Sequence, residues 1–251
     1  VRFEHYNLAQ CYWQDCLTLL CWHNLRSVSS SKHTLNTLPS QRLHLFHQQD
    51  NMNLAFFASH GGSNMQAIID AIKAGNLKAK PVVLISNNSG STAVQRAQNE
   101  GFPWYHLSSS THPQPEELDN AILNALQKHD TELIILAGYM KKIGDKILDA
   151  FDGQILNIHP ALLPKFGGKG MYGKRVHEAV LAADERESGA TVHLVDNQYD
   201  QGPILAQQKV PVLQGDTPDS LAERVLKVEH QIYWKTIAGI ISGDIALPSK
   251  T

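Results

Sequence analysis

At 251 residues, with a formal net charge of −2 and 42% hydrophobic residues, the chain has the composition of a globular protein able to bury a sizeable core. That balance excludes a fibrous or wholly disordered chain, and the lack of a basic excess argues against a nucleic-acid partner. No apolar run approaches the roughly 20 residues that span a bilayer, so no membrane partner is expected.

The first 51 residues differ from the rest. They carry all three cysteines, Cys11, Cys16 and Cys21, no glycine, and Pro39 as their one proline. The cysteine spacing fits no common zinc motif, and an odd number cannot pair completely within one chain. LTLLCW at Leu17–Trp22 is too short for a signal-peptide core, and a cytoplasmic location is the expectation. The polar stretch SVSSSKHTLNTLPSQ has neither helical nor strand period, and only a short helix over Leu8–Trp22 is conceivable. Residues 1–51 therefore read as an irregular extension and residues 52–251 as the working domain. Met52 is expected to be the natural start, with the earlier residues derived from an overlong reading frame. A genuine targeting or partner-binding extension is the alternative.

From Met52 the pattern alternates. LAFFAS (54–59) reads as a short strand and HGGSN as a turn. A helix follows, with Met65, Ile68, Ile69 and Ile72 on one face and Gly75 as its stop. PVVLIS (81–86), WYHLS, ELIILAG (132–138) and QILNIHP read as further strands, separated by helices over Ala93–Glu100, Glu116–Lys128 and GDKILDAF. Such alternation specifies an α/β fold with a mostly parallel sheet covered on both faces. ATVHLVD (190–196) and PILAQQKVPV (203–212) have no helix between them and are expected to extend that sheet antiparallel. A long closing helix starts from Thr217 as its N-cap.

Two places invite chemistry. The turn Ser59–Asn64 carries adjacent glycines between a strand and a helix N-terminus, a combination suited to a phosphate monoester. It matches neither the dinucleotide nor the Walker A spacing, and an ordinary turn capped by Ser63 or Asn64 is the plain alternative. In QILNIHPALLPKFGG, Asn157 and His159 share one strand face at a carboxyl end, followed by the rigid Pro160 and Pro164. A histidine that merely satisfies a carbonyl is the plain alternative there. The loop DNQYDQGPI (196–204) adds two acids, Asp196 and Asp200; either can orient an imidazole, and either can be a turn residue.

The segments GGSNMQAII, LAGYMKKI, LNIHPALLPKF, VHLVD with the following DQGPIL, and RVLKVEHQIY occur in that order. Through them, residues 52 to about 248 resemble the folate-dependent phosphoribosylglycinamide formyltransferases of purine synthesis. The resemblance implies a Rossmann-like formyltransferase fold and transfer of a formyl group from 10-formyltetrahydrofolate to the amine of glycinamide ribonucleotide, with no metal. It places catalysis at Asn157, His159 and Asp200, phosphate binding at Gly62, Ser63 and Asn64, and a substrate contact at Glu229. Folate would lie along Met140, Lys141, Lys142, Ile143 and the loop containing Asp196. Three positions depart from the family pattern: Lys141 for Arg, Leu226 for a polar residue, and Trp234 for proline. His177, in a variant of the loop after the catalytic histidine, has no assigned role. The assembly is expected to be a monomer or a homodimer. A formyltetrahydrofolate deformylase, which usually carries a further N-terminal domain, and a non-catalytic nucleotide-binding module are the alternatives.

Overall fold

On the first strand the side chains alternate between two apolar surroundings. Leu54 and Phe56 face one and Ala55 and Phe57 the other, all four fully buried. A strand that is apolar on both sides needs helices on both, and the chain supplies them. The elements of the computed structural model, which describes residues 51–248, are β1 (Met52–Phe57), α1 (Ser63–Lys73), β2 (Ala79–Ser86), α2 (Thr92–Glu100), β3 (Trp104–His106), α3 (Pro115–Lys128), β4 (Leu133–Leu136), α4 (Asp145–Ala150), β5 (Ile155–His159), α5 (Lys174–Ala182), β6 (Glu187–Leu194), β7 (Ile204–Pro211) and α6 (Pro218–Ser242). The helix considered over residues 8–22 lies outside the described residues, as does the expected extension up to residue 50.

The seven strands lie in the order β3-β2-β1-β4-β5-β6-β7. β1 to β5 run parallel, and the β5–β6 and β6–β7 pairs are antiparallel, which is the mixed sheet the sequence implies. Side chains of α1, α2 and α6 pack with Leu54 and Phe56, whereas those of α3 and α4 pack with Ala55 and Phe57. The chain leaves β1 toward β2 and later crosses to β4 on the opposite side. The carboxyl ends of β1 and β4 therefore diverge at a topological switch point, the usual ligand crevice of such sheets.

α6 anchors this arrangement. Thr217 caps it by accepting from Ser220 N–H at 3.2 Å, and the Ser220 hydroxyl accepts in return from Thr217 N–H at 3.0 Å. The buried Tyr233 hydroxyl lies 3.0 Å from the carbonyls of both Leu136 and Leu156, tying the helix to β4 and β5. Trp234 packs against the same core, and its N–H lets α6 run 25 residues where a proline would interrupt the ladder. Among the described residues no helix is long and apolar enough to cross a membrane.

One expectation needs correction. The segment after residue 167, read as loop, becomes helical at Lys174, with Val176, His177 and Val180 buried. Gly167, Gly168, Gly170 and Gly173 mask that periodicity, because the helix begins directly after the last of them. The plain alternative for the 59–64 turn, a cap at Ser63 or Asn64, does not form: the cap of α1 is Gly62, in the left-handed region at φ 63° and ψ 31°.

Candidate active site

β5 delivers two polar side chains to one face of the sheet, and its register with β6 sets Asn157 opposite His193. Asn157 Nδ2 donates to His193 Nε2 at 3.1 Å, while His193 Nδ1 donates to the Leu194 carbonyl at 2.8 Å. His159 Nε2 lies 2.8 Å from the Phe166 carbonyl. A carbonyl only accepts, so the proton of a neutral His159 sits on Nε2 and its lone pair on Nδ1. That Nδ1 faces Asp200 Oδ2 at 3.5 Å, and Asp200 Oδ1 lies 3.6 Å from His193 Nε2. Gly168 N–H donates to Asp200 Oδ2 at 2.9 Å and closes the cluster. His159 thus satisfies a carbonyl with one nitrogen and meets the acid with the other.

The two acids of the 196–204 loop separate cleanly. Asp196 is exposed, and its carboxylate accepts from Gln198 N–H at 2.8 Å, closing a local turn. Asp200 adopts a left-handed backbone at φ 57°, a conformation Asp and Asn tolerate better than most residues, and this brings its carboxylate to both imidazoles. Burial pushes the His159 pKa below its ordinary value, with His193 acting in the same sense and Asp200 and the Phe166 carbonyl opposing. Burial alone would raise the Asp200 pKa, but His193, His159 and the Gly168 N–H outweigh it and hold it low. The cluster at neutral pH is an ionised aspartate beside a neutral imidazole.

Across the same cleft, α1 begins without a side-chain cap and without an acid in its first turn, so its N-terminal N–H groups open toward the cavity. Gly62 is required there: a Cβ would stand 2.8 Å from Ala93 Cβ. Asn64 Nδ2 donates to Glu229 Oε2 at 2.7 Å, joining α1 to α6, while the buried Asn64 Oδ1 has no partner among the described residues. Burial pushes the Glu229 carboxyl pKa up, the Asn64 hydrogen bond opposing.

One cavity of about 1020 Å³ takes in the 60–64 turn, the 136–143 segment, Asn157, His159, the 168–174 and 195–200 loops, Leu226 and Glu229. Every residue to which the sequence assigns a site role therefore lines a single space. Met140 is 42% exposed at its edge. Its N–H donates to Ser59 Oγ at 2.8 Å, fixing the 139–143 segment to the end of β1. Lys141 and Lys142 are exposed, with Lys142 3.8 Å from Asp145, and Ile143 is buried. Leu226 leaves an apolar wall beside Glu229.

Sequence reasoning missed His193 and left His177 without a role; both are buried on the cavity wall. His193 had a legible signal, since Thr191 and His193 are polar at alternate positions among the apolar Ala190, Val192 and Leu194. Tyr172 and Tyr199, each about half exposed at 46% and 50%, also border the cavity and carried no such signal.

The model of the formyl transferase family matches residues 52–237. A chloroplastic phosphoribosylglycinamide formyltransferase from Vigna unguiculata is 45% identical over 188 residues, covering 74% of this chain. The chain spans only 60% of that relative's own length. The phosphoribosylglycinamide formyltransferase of Bacillus subtilis is 36% identical over 74% of this chain and 93% of its own. Among solved structures, glycinamide ribonucleotide transformylase 1 from Symbiobacterium toebii superimposes with a TM-score of 0.76 at 33% identity, over 84% of this chain and 97% of its own. A formyltetrahydrofolate deformylase from Pseudomonas syringae, 19% identical at a TM-score of 0.70, shares the fold. With the family model covering residues 52–237 and the site lying within them, the chain belongs to the formyl transferase family.

Proposed function

We propose that the chain transfers the formyl group of 10-formyltetrahydrofolate to the primary amine of glycinamide ribonucleotide. The observation that carries this reading is the presence of two unlike sites in one cavity. An uncapped helix N-terminus suited to a phosphate monoester opens onto it, and so does the Asn157, His159 and Asp200 cluster suited to acyl transfer. The relatives named above support the choice of amine and formyl donor.

The phosphate would be held by the N–H groups of Gly62, Ser63 and Asn64, and Glu229 would contact the glycinamide substrate. With Leu226 apolar, polar recognition along α6 would fall on Glu229. The folate would lie along Met140–Ile143 and the loop containing Asp196. Attack of the neutral amine on the formyl carbon forms a C–N bond and an oxyanion. Asn157 Nδ2 spends one of its two N–H bonds on His193 Nε2 and keeps the other for that oxygen. His159 Nδ1, its only nitrogen without a committed proton, takes the proton that the attacking nitrogen must lose. Asp200 stabilises the resulting imidazolium and holds the water through which the proton reaches the departing folate nitrogen. As that proton arrives, the bond from the formyl carbon to folate breaks.

The test is an absorbance assay of folate release with and without glycinamide ribonucleotide. Release that depends on the amine, with formylated amine found by mass spectrometry, is the expected result. Equal release of folate and free formate without the amine would overturn the transferase reading in favour of a hydrolase.

A further inference from the structure

The turn ahead of α1 contains a peptide unit flanked by glycine on both sides, Gly61–Gly62. A trans peptide is planar, with its C=O and N–H pointing in opposite directions, so whatever holds the carbonyl aims the N–H. Between two glycines, rotation of the whole unit meets little steric resistance. Gly61 gives no restraint of its own, being exposed, with nothing within 4 Å of where a Cβ would stand.

α2 supplies the restraint twice. Ala93 N–H donates to the His60 carbonyl at 2.9 Å and fixes the preceding peptide through main chain alone. Arg96 Nε donates to the Gly61 carbonyl at 3.0 Å, and its Nη1 reaches Gln66 Oε1, on α1, at 3.2 Å. Gln66 Nε2 in turn lies 3.0 Å from both Asp70 Oδ1 and Glu100 Oε1, and Lys73 pairs with Glu100 at 2.5 Å. The nearby carboxylates are thus engaged by other groups. Among the described residues no carboxylate pairs with Arg96, whose guanidinium donates to the Gly61 carbonyl and the Gln66 amide oxygen. That hydrogen bond is charge-assisted and holds Gly62 N–H on the opposite side of the peptide from the guanidinium.

We infer that Arg96 is a positioning residue for the substrate's phosphate: it locks the Gly61–Gly62 peptide so that Gly62 N–H faces the anion. Arg96 does not line the cavity and acts on the anion through that peptide. The inference rests on the phosphate-binding reading of the turn proposed above. Because the Gly61 carbonyl is at the surface, water replaces the lost donor in a variant, and the fold should hold.

The experiment compares the full chain with Arg96→Met and Arg96→Lys, using two readouts. Calorimetric titration with ribose 5-phosphate needs no turnover, and steady-state kinetics with glycinamide ribonucleotide and 10-formyltetrahydrofolate separates the two substrates. Arg96→Met should weaken ribose 5-phosphate binding and raise the KM for the ribonucleotide by about tenfold, which corresponds to about 1.4 kcal/mol. The kcat and the KM for folate should stay within about twofold, and Arg96→Lys, which keeps a charged donor, should recover most of the loss. Unchanged phosphate affinity in Arg96→Met, equal weakening of both substrates, or no recovery in Arg96→Lys would overturn the inference. If the wild-type chain transferred no formyl group while Arg96→Met still lost ribose 5-phosphate, the functional reading would fall and the role of Arg96 would stand. Transfer that Arg96→Met leaves untouched would have the opposite meaning.

Discussion

Replacing Asp200 by Asn removes one charge and little else. The left-handed backbone at φ 57° suits Asn as well as Asp, and the amide oxygen can still accept from Gly168 N–H. What disappears is the attraction between the carboxylate and a protonated His159, whose Nδ1 lies 3.5 Å away. Coulomb's law at that separation gives about 4.7 kcal/mol for an effective dielectric of about 20 and about 1.2 kcal/mol for bulk water. The His159 pKa, already held below its ordinary value by burial, should therefore fall further once the opposing carboxylate charge is gone. If the same energy enters the barrier, kcat falls between about tenfold and about three-thousandfold. NMR titration of the His159 ring protons reads the first quantity and steady-state kinetics the second. The sign of the pH profile follows: a neutral imidazole is the competent base, so kcat/KM rises with pH through the His159 pKa. In the variant that inflection moves to lower pH while the plateau drops. Asp196→Asn serves as the control, because Asp196 closes a local turn and is exposed. A His159 pKa that stays put or rises in Asp200→Asn, or a loss in Asp196→Asn as large as in Asp200→Asn, would refute the reasoning.

Other outcomes follow from the same geometry. Asn157→Ala should reduce kcat on the order of 10²–10³-fold by removing an oxyanion donor, and the double variant with Asp200→Asn should lose far less than the product of the single losses; kinetics of the four proteins checks this. Gly62→Ala forces a side chain into φ +63° and against Ala93, a strain of about 1–2 kcal/mol from the backbone alone. It should weaken ribonucleotide binding while folate titrates as before. Glu229→Gln should raise Tm, because burial lifts the Glu229 pKa and the buried carboxylate is costly once ionised. The penalty is absent below the unfolded-state pKa near 4.5 and grows as pH rises through the folded value, so melting curves should show a gain at pH 8 that vanishes near pH 4. The same variant should bind the ribonucleotide less well.

What the sequence disclosed, and what it withheld, divides along the range of the interactions. β1, β2 and β4 were legible because a strand buried on both faces must be apolar throughout, and α1 and α2 because Gly75 and Gly101 follow their ends. Asn157 and His159 stood out as polar residues at alternate positions closing an apolar strand, a placement with a cost unless something uses it. The choice between Asp196 and Asp200 was not legible from the loop itself. It is decided by a left-handed φ and by an N–H from Gly168, 32 residues earlier. His193 meets Asn157 across 36 residues of chain, a contact set by the antiparallel register of β5 and β6 that neither strand states alone. Arg96 lies 35 residues from the carbonyl it holds and resembles any solvated helix charge until α2 packs against the turn. Local pattern thus specifies which elements form, whereas the partners that orient the chemistry come from the packing of elements distant in sequence. A substitution on α2 or β6 can therefore disarm a site whose own motif is intact.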